Sequence, residues 1–281
     1  MNAIAAAGAQ KPGIYRMDEA DYHASEGASK SALWTLQKRS PLHARYGSKK
    51  ETDAQKFGSA AHTAVLEPGL FEVRYYRGPA DRRGNKWTAA EEIARNSGRS
   101  VLTEKDFDNA LRLRDAMQRN ELVRRLTSGT PSVEQSAFWI DEQTSELCRC
   151  RPDIYNHDLN VMADLKATTD AKASVWHRRV RDFGYHVQDA YYRDGWEAAG
   201  GGKVDGFVFI VVEDDAPHAS AVYELNTSAV ELGRRIYRDA LDRWHACRIN
   251  DVWPGYGSGV LPLDLDAWAY RQAEEQLEEV A

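Results

Sequence analysis

Cysteine is scarce in this chain, with only Cys148, Cys150 and Cys247 among 281 residues. So few thiols exclude a disulfide-stapled framework and suit a reducing compartment, with the cytoplasm as the expected setting. They also argue against a zinc or iron–sulfur centre, because no second Cys or His pair stands at metal-binding spacing from Cys148 and Cys150. Those two sit at i and i+2, so in a strand they share one face and read as packing. Long apolar runs are missing as well: nothing approaches the roughly 20 residues that a membrane-spanning helix needs, and no membrane partner is expected. The opening stretch MNAIAAAGAQK lacks a basic start ahead of its small residues, so residues 1–13 are expected to be a flexible tail and not a signal peptide. Nor is the chain basic. A net charge of −6 weighs against a nucleic-acid partner, but net charge averages over faces.

What is present is an ordinary globular composition, 42% hydrophobic and 28% charged, which is expected to build a single domain over 1–281. The charge is polarised along the chain. Residues 27–50 hold Lys30, Lys38, Arg39, Arg45, Lys49 and Lys50 with no acid between Lys30 and Lys50. Arg82 and Arg83 fall in a second basic stretch (77–86), and Arg178, Arg179 and Arg181 form a third. Acids collect in a C-terminal tail, 271–281. A basic run is often only a solvated face, so these clusters gain meaning only beside a site.

Helical spacing is expected over 29–40, where Ser29 is an N-cap and Leu33, Trp34 and Leu36 form an apolar stripe, over 55–67, and over 104–127. Residues 78–100, rich in Gly, Asn and Arg, read as a mobile loop holding a short helix. The segments SVEQSAFWID, LCRCRPDIY and NVMADLKATT are short, rich in β-branched and aromatic residues, and separated by polar turns, which predicts a β-meander. A helix at 171–199, the apolar strand DGFVFIVVE, its partner AVYELN and a long helix at 227–248 follow, and the tail from 250 reads as irregular. The fold class is therefore mixed α/β (α+β): a central mixed sheet with a three-strand meander, flanked by helices.

The meander carries charges that a buried strand should avoid. Glu134 opens its first strand, Asp153 closes the second, and Asp164 and Lys166 lie in the third, two apart and so on one face. A carboxylate removed from water is costly unless it is paired or holds a metal. Several carboxylates on neighbouring strands suit a hard divalent cation such as Mg²⁺. A lysine beside it, its pKa depressed by burial and the dication, would orient or deprotonate a water. The chemistry so assembled is metal-assisted phosphodiester hydrolysis. A bare D-x-K is a weak signal, and a salt-bridged strand pair would explain Asp164 and Lys166 equally well. The chain holds a second one, Asp170-Ala171-Lys172, in a polar stretch at a helix start.

The flanking motifs separate those readings. DYHASEGASKSAL, FGSAAHTAVLEP (57–68), LCRCRPD (147–153), MADLKATTDA (162–171) and YHVQDAYYRDGWEA (185–198), in that order, resemble the PD-(D/E)XK nuclease superfamily and, more narrowly, the exodeoxyribonuclease VIII (RecE-type) exonuclease domain. The resemblance runs from about residue 14 to about 270 and implies a restriction-endonuclease-like core. It implies that Asp153, Asp164, Glu134 and His62 hold metal, that Leu165 offers its backbone carbonyl, and that Lys166 is the catalytic lysine. Gln188 and Tyr192 match the family's Q-x-x-x-Y helix and would steady the DNA phosphate or the lysine. The implied activity is Mg²⁺-dependent 5′→3′ digestion of linear double-stranded DNA, with Mn²⁺ substituting, leaving a 3′ strand for a single-strand annealing (RecT-type) protein. Many such enzymes are homo-oligomeric rings, encoded in bacterial cells by phage or prophage loci. Lys30, Lys38, Arg39, Arg82, Arg83, Arg178 and Arg179 would then track phosphates, and Trp34 or the 78–100 loop would wedge the duplex end. Another nuclease of the superfamily, endonucleolytic or single-strand-specific, and a catalytically silent DNA-end-binding protein remain the alternatives.

Overall fold

Several helix starts carry a local cause. Ser29 accepts a hydrogen bond from the Ala32 amide, Thr52 and Gln55 form a reciprocal capping box, and Thr103 caps through the Asp106 amide. The structure, a computed structural model, describes residues 10–48 and 52–279. Lys49, Lys50 and most of the expected N-terminal tail lie outside those residues. The chain opens with β1 (Gly13–Tyr15), α1 (Glu19–Ala24) and β2 (Ala28–Ser29), followed by α2 (Lys30–Lys38), α3 (Pro41–Tyr46), α4 (Asp53–Leu66) and α5 (Pro68–Arg74). A parallel pair, β3 (Tyr75–Arg77) and β4 (Ser100–Leu102), brackets α6 (Gly84–Asn96), after which come α7 (Glu104–Arg119) and α8 (Glu121–Thr127). The strand-rich centre is β5 (Pro131–Val133), β6 (Ser136–Ile140), β7 (Leu147–Cys150), β8 (Ile154–Asn156) and β9 (Val161–Thr168). Then follow α9 (Ala173–Phe183), α10 (Tyr185–Ala198), β10 (Gly206–Glu213), β11 (Ser220–Glu224), α11 (Thr227–Asn250) and α12 (Ala267–Glu279).

The architecture is the expected mixed α/β. A five-stranded sheet runs β11-β10-β9-β8-β5, with β9 and β10 parallel and the other pairs antiparallel. A four-stranded sheet runs β1-β6-β7-β2. The meander spans both sheets. Val133 faces Ile154 in one and Ala137 faces Cys150 in the other, so the register is unbroken and the pair is one long antiparallel hairpin, bent at 134–136 and 151–153. Glu134 takes a left-handed conformation at the bend (φ 51°), and its amide donates to the Asp153 carbonyl. The bend sets the side chains of Glu134 and Asp153 beside His62 of α4.

Strand alternation divides the core. Phe207, Phe209 and Val211 of β10 pack with Val187, Tyr191 and Trp196 of α10, together with α11, whereas Ile210 and Val212 pack with Ala61, Leu113 and Val123 from α4, α7 and α8. Fully burying each such side chain stabilises the fold by about 1.5–3 kcal/mol. Cys148 and Cys150 are buried in the first of these cores as packing, and burial pushes the Cys148 thiol up to about 12. Gly233 lets α11 lie against α10: a Cβ there would meet the His186 carbonyl oxygen at 2.0 Å.

Four local expectations need correction. Residues 78–100 are mostly the 13-residue helix α6, whose Ala90 and Ala94 are buried at helical spacing. The helix expected over 104–127 breaks at Asn120, whose side chain caps α8. The helix expected over 171–199 breaks at Gly184, in the left-handed conformation between α9 and α10. The irregular stretch from 250 ends in α12, with Trp268 and Leu277 exposed. No helix among the described residues is long and apolar enough to cross a membrane.

Candidate active site

Several elements converge on one cleft of about 830 Å³, among them α1, α4, the start of α2, α10 and the bent hairpin. His62 projects from α4, whose Ala61 and Leu66 anchor it on the β-sheet, so the ring is set by core packing. Its Nδ1 lies 3.3 Å from Asp153 Oδ2 and 3.9 Å from Glu134 Oε1. Nitrogen and carboxylate oxygens of His62, Glu134 and Asp153 all fall within 4.8 Å of one another. Asp153 is oriented from behind, because its Oδ2 also accepts the Leu165 amide at 2.7 Å. Leu165 thus enters the site through its N–H, with its side chain in the core.

Asp164 and Lys166 share the face of β9 opposite Leu165, as their spacing predicts, and their charged groups touch through Asp164 Oδ2. Gln188 donates to the other oxygen, Oδ1, at 2.5 Å. Asp164 is 2% exposed, and its carboxylate is therefore held at both oxygens. It belongs to this second pair and not to the His62–Glu134–Asp153 cluster, although its charge reaches Asp153. Tyr192, one turn beyond Gln188, lines the cleft and packs on Phe207.

The electrostatics follow from these contacts. Burial, reinforced by the Asp164 carboxylate, raises Asp153 to about 7 despite His62 nearby. Burial disfavours a charged His62, but Asp153 and Glu134 outweigh it and hold the imidazole up at about 9. Burial likewise opposes the Glu134 charge, and His62 and Arg151 outweigh it, so Glu134 lies below the usual carboxylate range. Lys166 is set by the same balance. Burial pulls its ammonium down, yet Asp164 and Asp153 more than compensate and keep it above its ordinary value. Among the protein's own groups, then, Lys166 is a charged hydrogen-bond donor.

Arg151 escaped the sequence reading although its signal was there: it precedes Asp153 by two positions in RPD. Its Nε donates to Glu134 Oε2 at 2.8 Å while a terminal nitrogen binds the Met17 carbonyl, tying the bend to the N-terminal segment. The basic candidates divide. Lys30 lines the cleft. Lys38 and Arg39 are exposed at the end of α2, and Lys38 stands 5.3 Å from the Trp34 ring centroid. Trp34 itself is half-buried and packs against the core. Arg82 is engaged by Asp53 and Asp106, so its charge is balanced locally, whereas Arg83 is exposed beside it. Arg178 is exposed on α9, and Arg179 donates to the Thr169 hydroxyl.

The donor set fits a hard divalent cation: two carboxylates and an imidazole within reach of one ion, at a cleft open to a substrate phosphate. A mixed sheet with an Asp-x-Lys strand and an aspartate at the start of the preceding strand is the arrangement of a PDDEXK-like nuclease domain. The chain belongs to the family described as PDDEXK-like domain of unknown function (DUF3799), which matches residues 29–260. It is similar in fold to a solved structure from Eubacterium rectale named as a candidate exonuclease, with a TM-score of 0.59 at 14% identity over 91% of this chain and 98% of that one. A phage-related exonuclease from Haemophilus somnus 129PT aligns with a TM-score of 0.36 at 13% identity, over 80% of this chain and 96% of that one. Among curated proteins, none matches the chain.

Proposed function

We propose that this protein is a Mg²⁺-dependent exonuclease that degrades linear double-stranded DNA from 5′ ends, with Mn²⁺ as a substitute, in the manner of the exodeoxyribonuclease VIII (RecE-type) domain. The observation that carries the reading is the His62–Glu134–Asp153 cluster in the cleft, joined through the Leu165 amide on Asp153 to the strand that holds the Asp164–Lys166 pair. His62, Glu134, Asp153 and Asp164, with the Leu165 carbonyl, would hold the cation, which stabilises charge on the phosphoryl oxygens and acidifies water when bound. Lys166 Nζ donates to a phosphate oxygen or to the attacking water. Gln188 fixes the Asp164 carboxylate, Arg151 fixes that of Glu134, and Tyr192 walls the cleft. Lys30, Lys38, Arg39, Arg83, Arg178 and Arg179 supply sequence-independent phosphate contacts, with Arg82 the weakest because of its ion pairs. A single-strand annealing (RecT-type) partner, a homo-oligomeric assembly and a cytoplasmic, phage-linked role belong to the same reading.

The test incubates the protein with end-labelled linear duplex, closed circular duplex and single-stranded DNA, with Mg²⁺ and with EDTA. Loss of the linear duplex from its 5′-ended strand, only with Mg²⁺, is the expected result. Cutting of closed circles makes it an endonuclease, and binding without degradation defeats the enzyme reading.

A further inference from the structure

Behind Lys166 lies a feature that the metal site leaves unused. Four aromatic rings lie face to face in a row. Phe183 stacks on Tyr185 with centroids 5.7 Å apart and planes 21° apart, Tyr185 on Trp176 (5.2 Å, 23°), and Trp176 on Tyr223 (6.2 Å, 15°). The inner rings belong to the core, whereas Phe183 at the outer end is 50% exposed. An exposed apolar residue by itself needs no explanation. This one is held rigidly. It closes α9 just before Gly184, whose left-handed turn (φ 66°) lies so close to Trp34 that a Cβ would meet that ring at 2.6 Å. Lys30 donates to the Phe183 carbonyl at 2.6 Å, securing the turn from α2.

The row also reaches the catalytic pair. Lys166 Nζ lies 5.2 Å and Lys30 Nζ 5.7 Å from the Tyr185 centroid. The Phe183 ring is therefore no more than about 11 Å from Lys166 Nζ, roughly three bases of a stacked strand at about 3.4 Å each. Lys38, Arg178 and Arg181 surround the turn, with Asp182 paired to Arg181. A flat aromatic face on a rigid turn, ringed by cations and one short step from the site that handles the phosphate, matches what a nucleobase of a single strand requires.

We propose that Phe183 is a base-stacking platform: an unpaired base of the DNA strand near the scissile phosphate extends the Phe183–Tyr185–Trp176–Tyr223 row by one member. Stacking is sequence-tolerant, because every base has a π-face, so the platform grips without reading sequence. Lys30 acts as a positioning residue, joining the platform to the cleft. This inference rests on the DNA nuclease reading above.

The test measures kcat and KM on linear duplexes carrying an abasic site at each of the three terminal nucleotides in turn, for wild type, Phe183→Ala, Phe183→Leu and Phe183→Trp. Wild type should lose affinity at one abasic position by roughly 5- to 150-fold, the loss expected for one stacked base. Phe183→Ala should show that loss on natural DNA already and no further loss on abasic DNA. Phe183→Trp should restore the discrimination and Phe183→Leu should not, which separates stacking from mere packing. Wild-type digestion indifferent to abasic sites, or rescue by leucine equal to that by tryptophan, overturns the platform alone. Failure of wild type to digest any DNA overturns the nuclease reading and the platform with it.

Discussion

Gln188 donates its side-chain amide to Asp164 Oδ1 at 2.5 Å, from a helix that is buried at that point, while the other oxygen of the same carboxylate touches Lys166. The acid between them therefore has one orientation. A neutral amide at this place holds the carboxylate without competing for its charge.

Removing that support should cost activity and little else. Gln188→Ala is expected to lower kcat by about 10–100-fold, the usual effect of losing a residue that orients a metal-binding or catalytic group. Far-ultraviolet circular dichroism should be unchanged. A variant with wild-type kcat would remove Gln188 from the site.

Arg151 holds Glu134 as Gln188 holds Asp164. Arg151→Ala should raise the Mg²⁺ concentration needed for half-maximal activity by about 10–100-fold, because Glu134 loses the contact that aims it. Arg151→Lys should recover only part, since a single ammonium cannot reproduce the guanidinium's simultaneous bonds to Glu134, Met17 and Ser136. A metal titration that matches wild type for the alanine variant would contradict this role.

The residues of the site were unequally legible. Asp164 and Lys166 could be paired from spacing alone, because a strand repeats every two residues. Glu134 and Asp153 could be gathered from the meander pattern, but His62 comes from a distant helix, and only the family resemblance brought it to them before the fold did. The bend at Glu134 left no trace in hydrophobic pattern, since the alternation continues through it in unbroken register. Arg151 is readable from its i, i+2 relation to Asp153. Residues 78–100 misled for a different reason: their Gly and Arg content suggested a loop, while Ala90 and Ala94 at i and i+4 were the signal of the helix that forms.

Away from the site, Asp141 gives a pH-dependent contribution to stability. Burial opposes its charge, but Arg238 and Thr144 more than offset this and hold the carboxyl down at about 2, against an ordinary 3.8. A depressed folded-state pKa means stability present above 3.8 and lost as the pH falls from there toward 2, worth about 2 kcal/mol when complete. Asp141→Asn should therefore be less stable than wild type at pH 7, with the gap narrowing below pH 4. Denaturant unfolding across that range checks it, and a gap independent of pH would show that Asp141 acts through something other than its charge.

Gly184 should tolerate no side chain. Gly184→Ala places a Cβ at φ 66° and 2.6 Å from Trp34, so destabilisation of about 1–3 kcal/mol is expected. A lowered melting temperature is the readout; an unchanged one would mean that the turn between α9 and α10 can move.

The most direct measurement concerns Lys166. Single-turnover digestion of an end-labelled linear duplex with Mg²⁺ should fall by at least about 100-fold in Lys166→Ala, the scale of losing one positioned donor to developing charge, while the affinity for the same duplex stays within a few-fold of wild type. Digestion at the wild-type rate by Lys166→Ala would contradict the site.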